Sequence, residues 1–187
     1  PQMGIYIDVF GYALLATLHF LSISVSSLNW RSRMTCVPGL IRFSLDRWSE
    51  RRGNKIPTAD SVRMANEAVK IDATVLYADM SDSTILVDSR KNWFAAEVYK
   101  SYLHCASRII RSEGGEITSY DGDRVMGIFV GGSKCSSATR AALKINFSRI
   151  HIVNDAIGRH YSKETYRVKH TVGVDRSELF AARTGIR

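Results

Sequence analysis

The feature that most constrains the fold is a β-rich segment that ends in an acidic residue and leads into a long amphipathic helix. Residues 71–79 (IDATVLYAD) have strand composition, and their alternation places Val75, Tyr77 and Asp79 on one face. From about Lys91 to Arg111, apolar residues recur every three or four positions, which predicts a helix. We therefore expect this helix to pack on a sheet that contains the 71–79 strand.

The residues after the helix predict a hairpin and a second helix. Gly114-Gly115 ends the first helix, as glycine often does. Residues 116–120 and 124–130 flank the turn 121–123, whose Asp-Gly pair is typical of tight hairpins. Apolar residues then keep helical spacing from about Ser136 to Ile157.

Two further elements complete the predicted order. Asp60 is expected to cap a short helix that runs through Ala68. Residues 168–174 and 179–182 are expected to form a hairpin around the turn DRSE. The order strand, helix, hairpin, helix, strand pair predicts an α+β fold, a βαββαβ ferredoxin-like split sheet that is antiparallel and has its helices on one face.

The N-terminal part differs in character and is treated as residues 1–55, with the predicted domain at 56–187. Residues 9–28 contain no Asp, Glu, Lys or Arg and are long enough to span a bilayer as a helix of about 20 residues. A buried or interfacial helix is the alternative. Residues 29–55 are basic and irregular, which indicates a linker. The expected location is the cytoplasm, with or without a membrane tether through residues 9–28.

Composition narrows the classes of partner. The 187 residues are 45% hydrophobic, which suits one globular domain. Cys36, Cys105 and Cys135 form no C-x-x-C motif, which argues for a reduced compartment and against a zinc site. The net charge of +8 attracts polyanions. The densest basic cluster, residues 42–55, lacks helical regularity, so we expect a solvated basic surface and no nucleic-acid partner.

Two acidic residues stand at positions where strands end. Asp79 closes the first strand, and Asp123 lies in the turn of the hairpin. In a split sheet the first and middle strands are neighbours, so both carboxylates can meet at one edge. A carboxylate pair without His or Cys suits Mg²⁺ or Mn²⁺. Taken singly, an aspartate at such a position is more often a turn or capping residue. The loop 80–84, which follows Asp79, could offer backbone N–H groups to phosphate oxygens.

The two motifs together resemble the class III nucleotidyl cyclase catalytic domain. The chain has V-L-Y-A-D-M-S-D-S-T, and then G-G-E-I-T-S-Y-D-G-D-R-V-M-G-I-F, with Asp123 44 positions after Asp79. The segment V-G-V-D-R-S-E-L-F-A, residues 172–181, is similar to the dimerisation hairpin of that family. The resemblance covers roughly residues 70–187.

The resemblance implies a reaction and a set of ligands. A nucleoside triphosphate would be converted to its 3′,5′-cyclic monophosphate plus pyrophosphate, with two Mg²⁺ or Mn²⁺ ions per site. The family builds this site across a head-to-tail homodimer. The implied metal ligands are Asp79, Asp123 and the Met80 carbonyl, and the two aspartates are the implied catalytic residues. The implied phosphate-binding residues are Ser81, Asp82, Ser83 and Thr84.

The residues that depart from the family bear on the substrate. Purine cyclases usually have Lys or Glu four residues before the second metal aspartate, and this chain has Ser119. Residues 55–84 look most like the bacterial pyrimidine cyclases of the Pycsar antiphage system, which make cyclic CMP or cyclic UMP. Ser119, Asp72 and Tyr77 are the predicted base pocket, with Tyr120 as a second wall. Asp72 and Ser119 could accept a hydrogen bond from the exocyclic amine of cytosine, which favours CTP slightly. However, Asp72 lies seven residues before Asp79, so in a regular strand the two side chains point to opposite faces.

The final part of the family pattern has no counterpart in this chain. In the family, an Asn and an Arg on a later helix hold the ribose and the transition-state phosphate, and no residue before Arg187 matches them. We therefore expect the catalytic domain to be C-terminally incomplete and residues 1–187 alone to have little turnover. A purine cyclase, a catalytically dead nucleotide-binding or dimerisation module, and a palm-like nucleotidyltransferase are the alternatives.

Overall fold

A single long strand, β3 (Glu67–Ser81), lies at the centre of the sheet. The structure is a computed structural model that describes residues 4–9, 47–63 and 65–184. The predicted apolar segment 9–28 and the predicted linker up to residue 46 therefore lie outside the described residues, apart from Val9. No helix in the described part of the chain has the length and apolar character needed to cross a membrane.

The predicted elements occur in the expected order, and the structure adds two strands before them and a short helix after the central strand. The strands are β1 (Gly4–Val9), β2 (Ser49–Arg52), β3, β4 (Glu116–Asp121), β5 (Arg124–Phe129) and β6 (Lys169–Thr184). The helices are α1 (Ser83–Ser89), α2 (Asn92–Ser112), α3 (Lys134–Ser148) and α4 (Asn154–His160), with a 3-10 turn at Ala59–Ser61. A π-helical segment, Arg149–Val153, joins α3 to α4.

The sheet has the split topology that the sequence predicts. The described strands run in the order β1-β6-β3-β5-β4, with every pair in this order antiparallel, and β2 lies parallel to the start of β3. The first and middle strands of the motif, β3 and β5, are neighbours as expected. Residues 49–52 are therefore a strand rather than part of a linker.

Two local predictions are wrong. Residues 168–182 form no hairpin, because β6 continues through the expected turn and pairs with β3 from Lys169 to Ala182. The polar residues of that turn find partners across the sheet instead, since Arg176 lies 3.1 Å from Asp72 and Glu178 lies 3.6 Å from Arg52. The helix expected from Asp60 is only one 3-10 turn, and Ala68 already belongs to β3.

The two faces of the sheet are covered differently. On one face the helices α2, α3 and α4 pack over the alternate β3 residues Leu76, Ala78 and Met80, and this is the main core. On the other face, Val69, Ile71, Ala73 and Val75 of β3 belong to a smaller apolar cluster with residues of β5 and β6. That smaller cluster stops before Asp79, so the end of β3 that carries the aspartate is not covered by it.

Candidate active site

Asp79 lies near the end of β3, on the face opposite the helices. Strand alternation places it with Tyr77 and Val75, whereas Ala78 and Met80 point into the helical core. We call this surface, formed by Asp79, Tyr77 and their neighbours on β4 and β5, the site face. Tyr77 is 37% exposed there, so the surface is open to a ligand.

Asp123 is held beside Asp79 by the turn between β4 and β5. Gly122 occupies the first loop position with φ +60°, a conformation that glycine adopts readily and that a type II′ hairpin turn needs. Across the sheet, Asp79 pairs with Arg124, and the Met80 N–H donates to the Asp123 carbonyl oxygen at 3.4 Å. The structure therefore brings both predicted aspartates to neighbouring positions at one end of the sheet, where β3 and β5 lie about 5 Å apart.

The pKa of Asp79 is affected by the nearby carboxylates. Partial burial raises the pKa of the Asp79 carboxyl above its ordinary value, and the negative charges of Asp123 and Asp121 raise it further, while Arg124 opposes the shift. A divalent cation between the carboxylates would relieve the repulsion. The same oxygen-rich set leaves coordination positions for water and substrate phosphate, which is how Mg²⁺ is usually bound.

No group of three or more His, Cys, Asp or Glu side chains in the described residues could hold a metal by itself. The donor set predicted from the sequence, two carboxylates and a backbone carbonyl, is smaller than such a group and stays a prediction. This donor set is compatible with Mg²⁺ or Mn²⁺ and incompatible with a structural zinc site, which would need four His or Cys ligands.

Arg124 and Asp121 are parts of the site face that the sequence analysis missed. The Arg124 guanidinium donates to the Asp121 carboxylate at 2.6 Å and lies 5.7 Å from the centre of the Tyr77 ring. Its pKa is raised by the Asp121 hydrogen bond and by the charge of Asp79. The sequence feature that could have identified Arg124 is its position directly after Asp123. With a two-residue turn, that position lies opposite Asp79 across the sheet.

Ser119 and Tyr77 lie in one row across the sheet. A bulge between Ile117 and Ser119 shifts the register of β4, so that Ser119 pairs with Met126 and Met126 pairs with Tyr77. Ser119 is exposed and shares the site face. Tyr120 does not, because its hydroxyl is 2.9 Å from Ser107 on α2. The prediction of Tyr120 as a wall of the base pocket is therefore wrong.

Asp72 is not brought to the carboxylate pair within one copy of the chain. It lies seven residues before Asp79 on β3, about 23 Å away along an extended strand. Its carboxylate is 3.1 Å from Arg176 and 3.0 Å from Lys134. These hydrogen bonds, with Arg176 the larger influence, lower the pKa of Asp72 to about 2. Its acceptor oxygens are thus already occupied by cations.

The predicted phosphate-binding residues follow Asp79 directly in the chain. Ser81 ends β3, and Ser83 and Thr84 begin the short helix α1. Asp82 adopts φ +60° between these elements, a left-handed conformation that aspartate tolerates better than most residues. Its carboxylate is 3.4 Å from Lys169 on β6.

A polar network that runs from the buried Tyr102 through the partly buried His170 to the exposed Asn146 lies behind the site, on the helix side of the sheet. The Tyr102 hydroxyl of α2 is 3.0 Å from His170 Nδ1 on β6, and His170 Nε2 is 3.2 Å from the Asn146 side-chain oxygen on α3. His170 pairs with Met80 across the sheet. Burial raises the pKa of Tyr102, and the charge of Asp79 contributes. This network ties three elements together next to the carboxylate pair.

The sequence has curated relatives of known name. It is 47% identical over 141 residues to a uridylate cyclase of Xanthomonas perforans and 46% identical over 143 residues to a uridylate cyclase of Burkholderia cepacia. Each match covers 75% of this chain, and the chain spans 61% and 62% of the length of these relatives. No protein-family model matches the chain.

The fold has solved counterparts. The guanylyl cyclase Cya2 has a TM-score of 0.55 at 14% identity, covering 62% of this chain and 64% of Cya2. A bacterial light-regulated adenylyl cyclase has a TM-score of 0.52 at 18% identity, covering 63% of this chain and 36% of that one. At these identities the likeness shows a common fold, and the predicted α+β split-sheet architecture is confirmed.

Proposed function

The chain resembles the class III nucleotide cyclases in sequence and has their fold, and on this premise we propose that the protein converts UTP to 3′,5′-cyclic UMP and pyrophosphate. The ribose 3′-oxygen loses its proton and bonds to the α-phosphorus, while the bond from the α-phosphorus to the bridging oxygen breaks. The observation that carries the proposal is the placement of Asp79 and Asp123 side by side in a chain nearly half identical to uridylate cyclases.

In this proposal the carboxylate pair holds two Mn²⁺ or Mg²⁺ ions together with the Met80 carbonyl. When bound, such ions neutralise phosphate charge and acidify the 3′-hydroxyl. The chain's own contribution is to hold two carboxylates close together despite their repulsion; burial raises the pKa of Asp79 most, and the charge of Asp123 raises it further. The loop Ser81–Thr84 is proposed to bind phosphate oxygens, beside the carboxylate pair.

The side chains of the site face favour a pyrimidine base whose carbonyl oxygens can accept hydrogen bonds. Arg124 is a guanidinium on this face, held over the Tyr77 ring and oriented by Asp121. Uracil presents two carbonyl oxygens, and a guanidinium has donors that fit them. Ser119 is too short to replace the Lys or Glu of purine cyclases, and Asp72 is occupied by two cations. The slight preference for CTP based on Asp72 is therefore not retained.

The proposal includes a homodimer and a signalling role. The resemblance supports a site between two copies arranged head to tail, in which the open site face of one copy would be completed by the other. A cyclic pyrimidine nucleotide made in this way would serve as a second messenger in antiphage defence.

A direct test incubates the full-length protein with each of the four ribonucleoside triphosphates and Mn²⁺, and identifies products by mass spectrometry. We expect cyclic UMP from UTP. Asp123→Asn should lower the rate at least about 100-fold, since even the loss of groups outside the metal ligands costs about 10- to 100-fold. Asp155→Asn is the matched control, because Asp155 is an exposed aspartate that pairs with Arg159 on α4.

The other outcomes each have a meaning. Cyclic AMP or cyclic GMP as the sole product would refute a pyrimidine cyclase, and cyclic CMP alone would refute UTP as the substrate. Tight UTP binding without any product, unchanged in Asp123→Asn, would indicate a nucleotide-binding module instead. An equal loss of activity in Asp155→Asn would show that the Asp123 effect is not specific to the site.

A further inference from the structure

The outer face of α2 carries basic side chains at helical spacing. Lys100, His104, Arg108 and Arg111 are exposed and recur at intervals of four, four and three residues. Such spacing aligns them on one face, over about 16 Å of helix. We call these four residues the α2 basic stripe. It lies on the helix side of the sheet, away from the carboxylate pair.

The cationic side chains of the stripe have no acidic partners among the described residues. Elsewhere in the described chain, many basic residues are in ion pairs, as Arg140 is with Glu113 and Arg90 is with Glu164. Lys100, Arg108 and Arg111 make no ion pair within the described part of the chain. Their charges are therefore available to a ligand.

The stripe borders a trough between α2 and the edge strand β4. The trough has a volume of about 650 Å³ and contains no carboxylate in its lining, which consists of Lys100, Leu103, His104, Ser107, Arg108, Arg111 and Tyr120. Tyr120 is 54% exposed, and its hydroxyl is held 2.9 Å from Ser107, which fixes the ring beside the stripe. The trough thus combines a row of cations with an oriented, exposed aromatic ring.

We propose that the α2 basic stripe and Tyr120 form a binding surface for single-stranded nucleic acid. Arginine and lysine at regular intervals suit a row of phosphates, and an exposed ring beside them is a platform on which a base can stack. An acidic peptide would use the cations but would have no need for the ring. The expectation of no nucleic-acid partner rested on scattered basic residues and an irregular cluster at 42–55, whereas the α2 basic stripe becomes apparent once α2 is a helix with one face buried.

The test measures binding of a fluorescently labelled oligodeoxythymidylate of about 12 nucleotides, within the usual site sizes for such surfaces. Anisotropy is recorded at several salt concentrations with the full-length protein. The triple variant Lys100→Ala, Arg108→Ala, Arg111→Ala should weaken binding at least about tenfold. It should also reduce the slope of log affinity against log salt by about 2, since three phosphate contacts are lost.

The control removes three exposed Lys or Arg side chains elsewhere, Arg47→Ala, Lys55→Ala and Lys163→Ala, and should change the affinity little. Tyr120→Ala should weaken binding at least about fivefold, and Tyr120→Phe should retain most of it, because stacking needs the ring.

Four results would overturn the proposal. They are no binding of the wild type, an equal loss in the control triple variant, no effect of Tyr120→Ala, and displacement of the oligonucleotide by polyglutamate or by anionic phosphatidylserine vesicles at equal charge concentration. A circular dichroism spectrum of the triple variant that matches that of the wild type would show that the folded protein is intact. The test is independent of the proposed reaction.

Discussion

At the scale of single residues, Asp79 is under electrostatic strain that a cation would relieve. Its pKa is raised by burial and by the charge of Asp123, so the folded state binds a proton at this carboxyl more readily than the unfolded chain does. A raised carboxyl pKa destabilises the folded state once the pH is above both pKa values. The site therefore costs stability in the absence of metal.

Asp79→Asn should accordingly raise the melting temperature of the protein in EDTA at neutral pH, while it abolishes cyclase activity. Neutral Asn keeps the size of Asp and removes the repulsion from Asp123. Differential scanning fluorimetry with and without Mn²⁺ measures both effects. Mn²⁺ should raise the melting temperature of the wild type and leave that of Asp79→Asn unchanged. An equal Mn²⁺ shift in both proteins would contradict the carboxylate pair as the metal site.

His170 is the second residue whose ionisation bears on stability. Burial lowers its pKa from 6.5 to about 4, and the nearby Arg149 adds to this effect. Above pH 6.5 the histidine is neutral in both states, so it carries no penalty. As the pH falls toward 4, the unfolded chain takes up a proton that the folded chain does not, and stability is lost.

His170→Gln should remove this part of the acid destabilisation, since Gln can hydrogen-bond but does not titrate. Urea unfolding at about pH 7 and about pH 5 measures it, and the wild type should lose more free energy of unfolding than His170→Gln over this interval. His104→Gln, at an exposed histidine of α2, is the control and should behave as the wild type does. Identical pH dependence in wild type and His170→Gln would refute a neutral, partly buried His170.

The sequence was sufficient to predict that Asp79 and Asp123 lie close together, because Asp79 stands near the end of β3 and Asp123 stands in the turn before β5. It was not sufficient to find Arg124 and Asp121 as partners. Their hydrogen bond depends on a two-residue turn that makes Asp121 and Arg124 cross-strand neighbours. The expected DGD turn of three residues would have left Asp121 outside the ladder. Asp72 shows the reverse case, since strand parity correctly predicted that it turns away from Asp79.

At the scale of elements, β3 explains which predictions failed. It is 15 residues long rather than nine, and this length gives β6 a partner for every residue through the DRSE segment. Four consecutive polar residues resemble a turn, yet each is stabilised in the strand by pairing with β3. The length of β3 was hidden because its first residues, 67–70, are two apolar residues between Glu67 and Lys70, a pattern that does not alternate and resembles the end of a short helix.

The contact between the end of α2 and β5 depends on the absence of a side chain at Gly115. A Cβ there would lie 2.6 Å from Phe129 Cζ and 2.9 Å from Ile110 Cγ2, both in buried residues of the main core. Gly115→Ala should therefore cost about 1–3 kcal/mol of unfolding free energy by overpacking.

Gly132→Ala is the control for this contact, because a Cβ at Gly132 would meet nothing within 4 Å and its φ is not positive. Urea denaturation of both variants distinguishes them, and Gly132→Ala should differ from the wild type by less than about 0.5 kcal/mol. Equal stabilities of Gly115→Ala and wild type would show that α2 is not packed on β5 as described.

At the scale of the whole molecule, the two faces of the sheet have different roles. The helices cover most of one face, and this face carries the hydrogen-bond network of Tyr102 and His170. The other face is covered only in part, by the smaller apolar cluster, and its open end carries Asp79, Tyr77 and Arg124. An open face of this kind can receive a nucleotide and a second copy of the chain together, as the proposed head-to-tail dimer requires.

A shared site makes a quantitative prediction about dilution. The specific activity of the full-length wild type on UTP should fall on dilution below the dissociation constant of the dimer, because a single copy holds the carboxylates but lacks the facing half of the site. Adding excess Asp123→Asn protein to the diluted wild type should restore the activity per wild-type chain. Each mixed dimer keeps one wild-type carboxylate pair, and the variant supplies only the opposite face, where Asp123 is not needed. Asp123→Asn alone should remain inactive under the same conditions. Constant specific activity on dilution, or no recovery with Asp123→Asn, would mean that one copy carries a complete site.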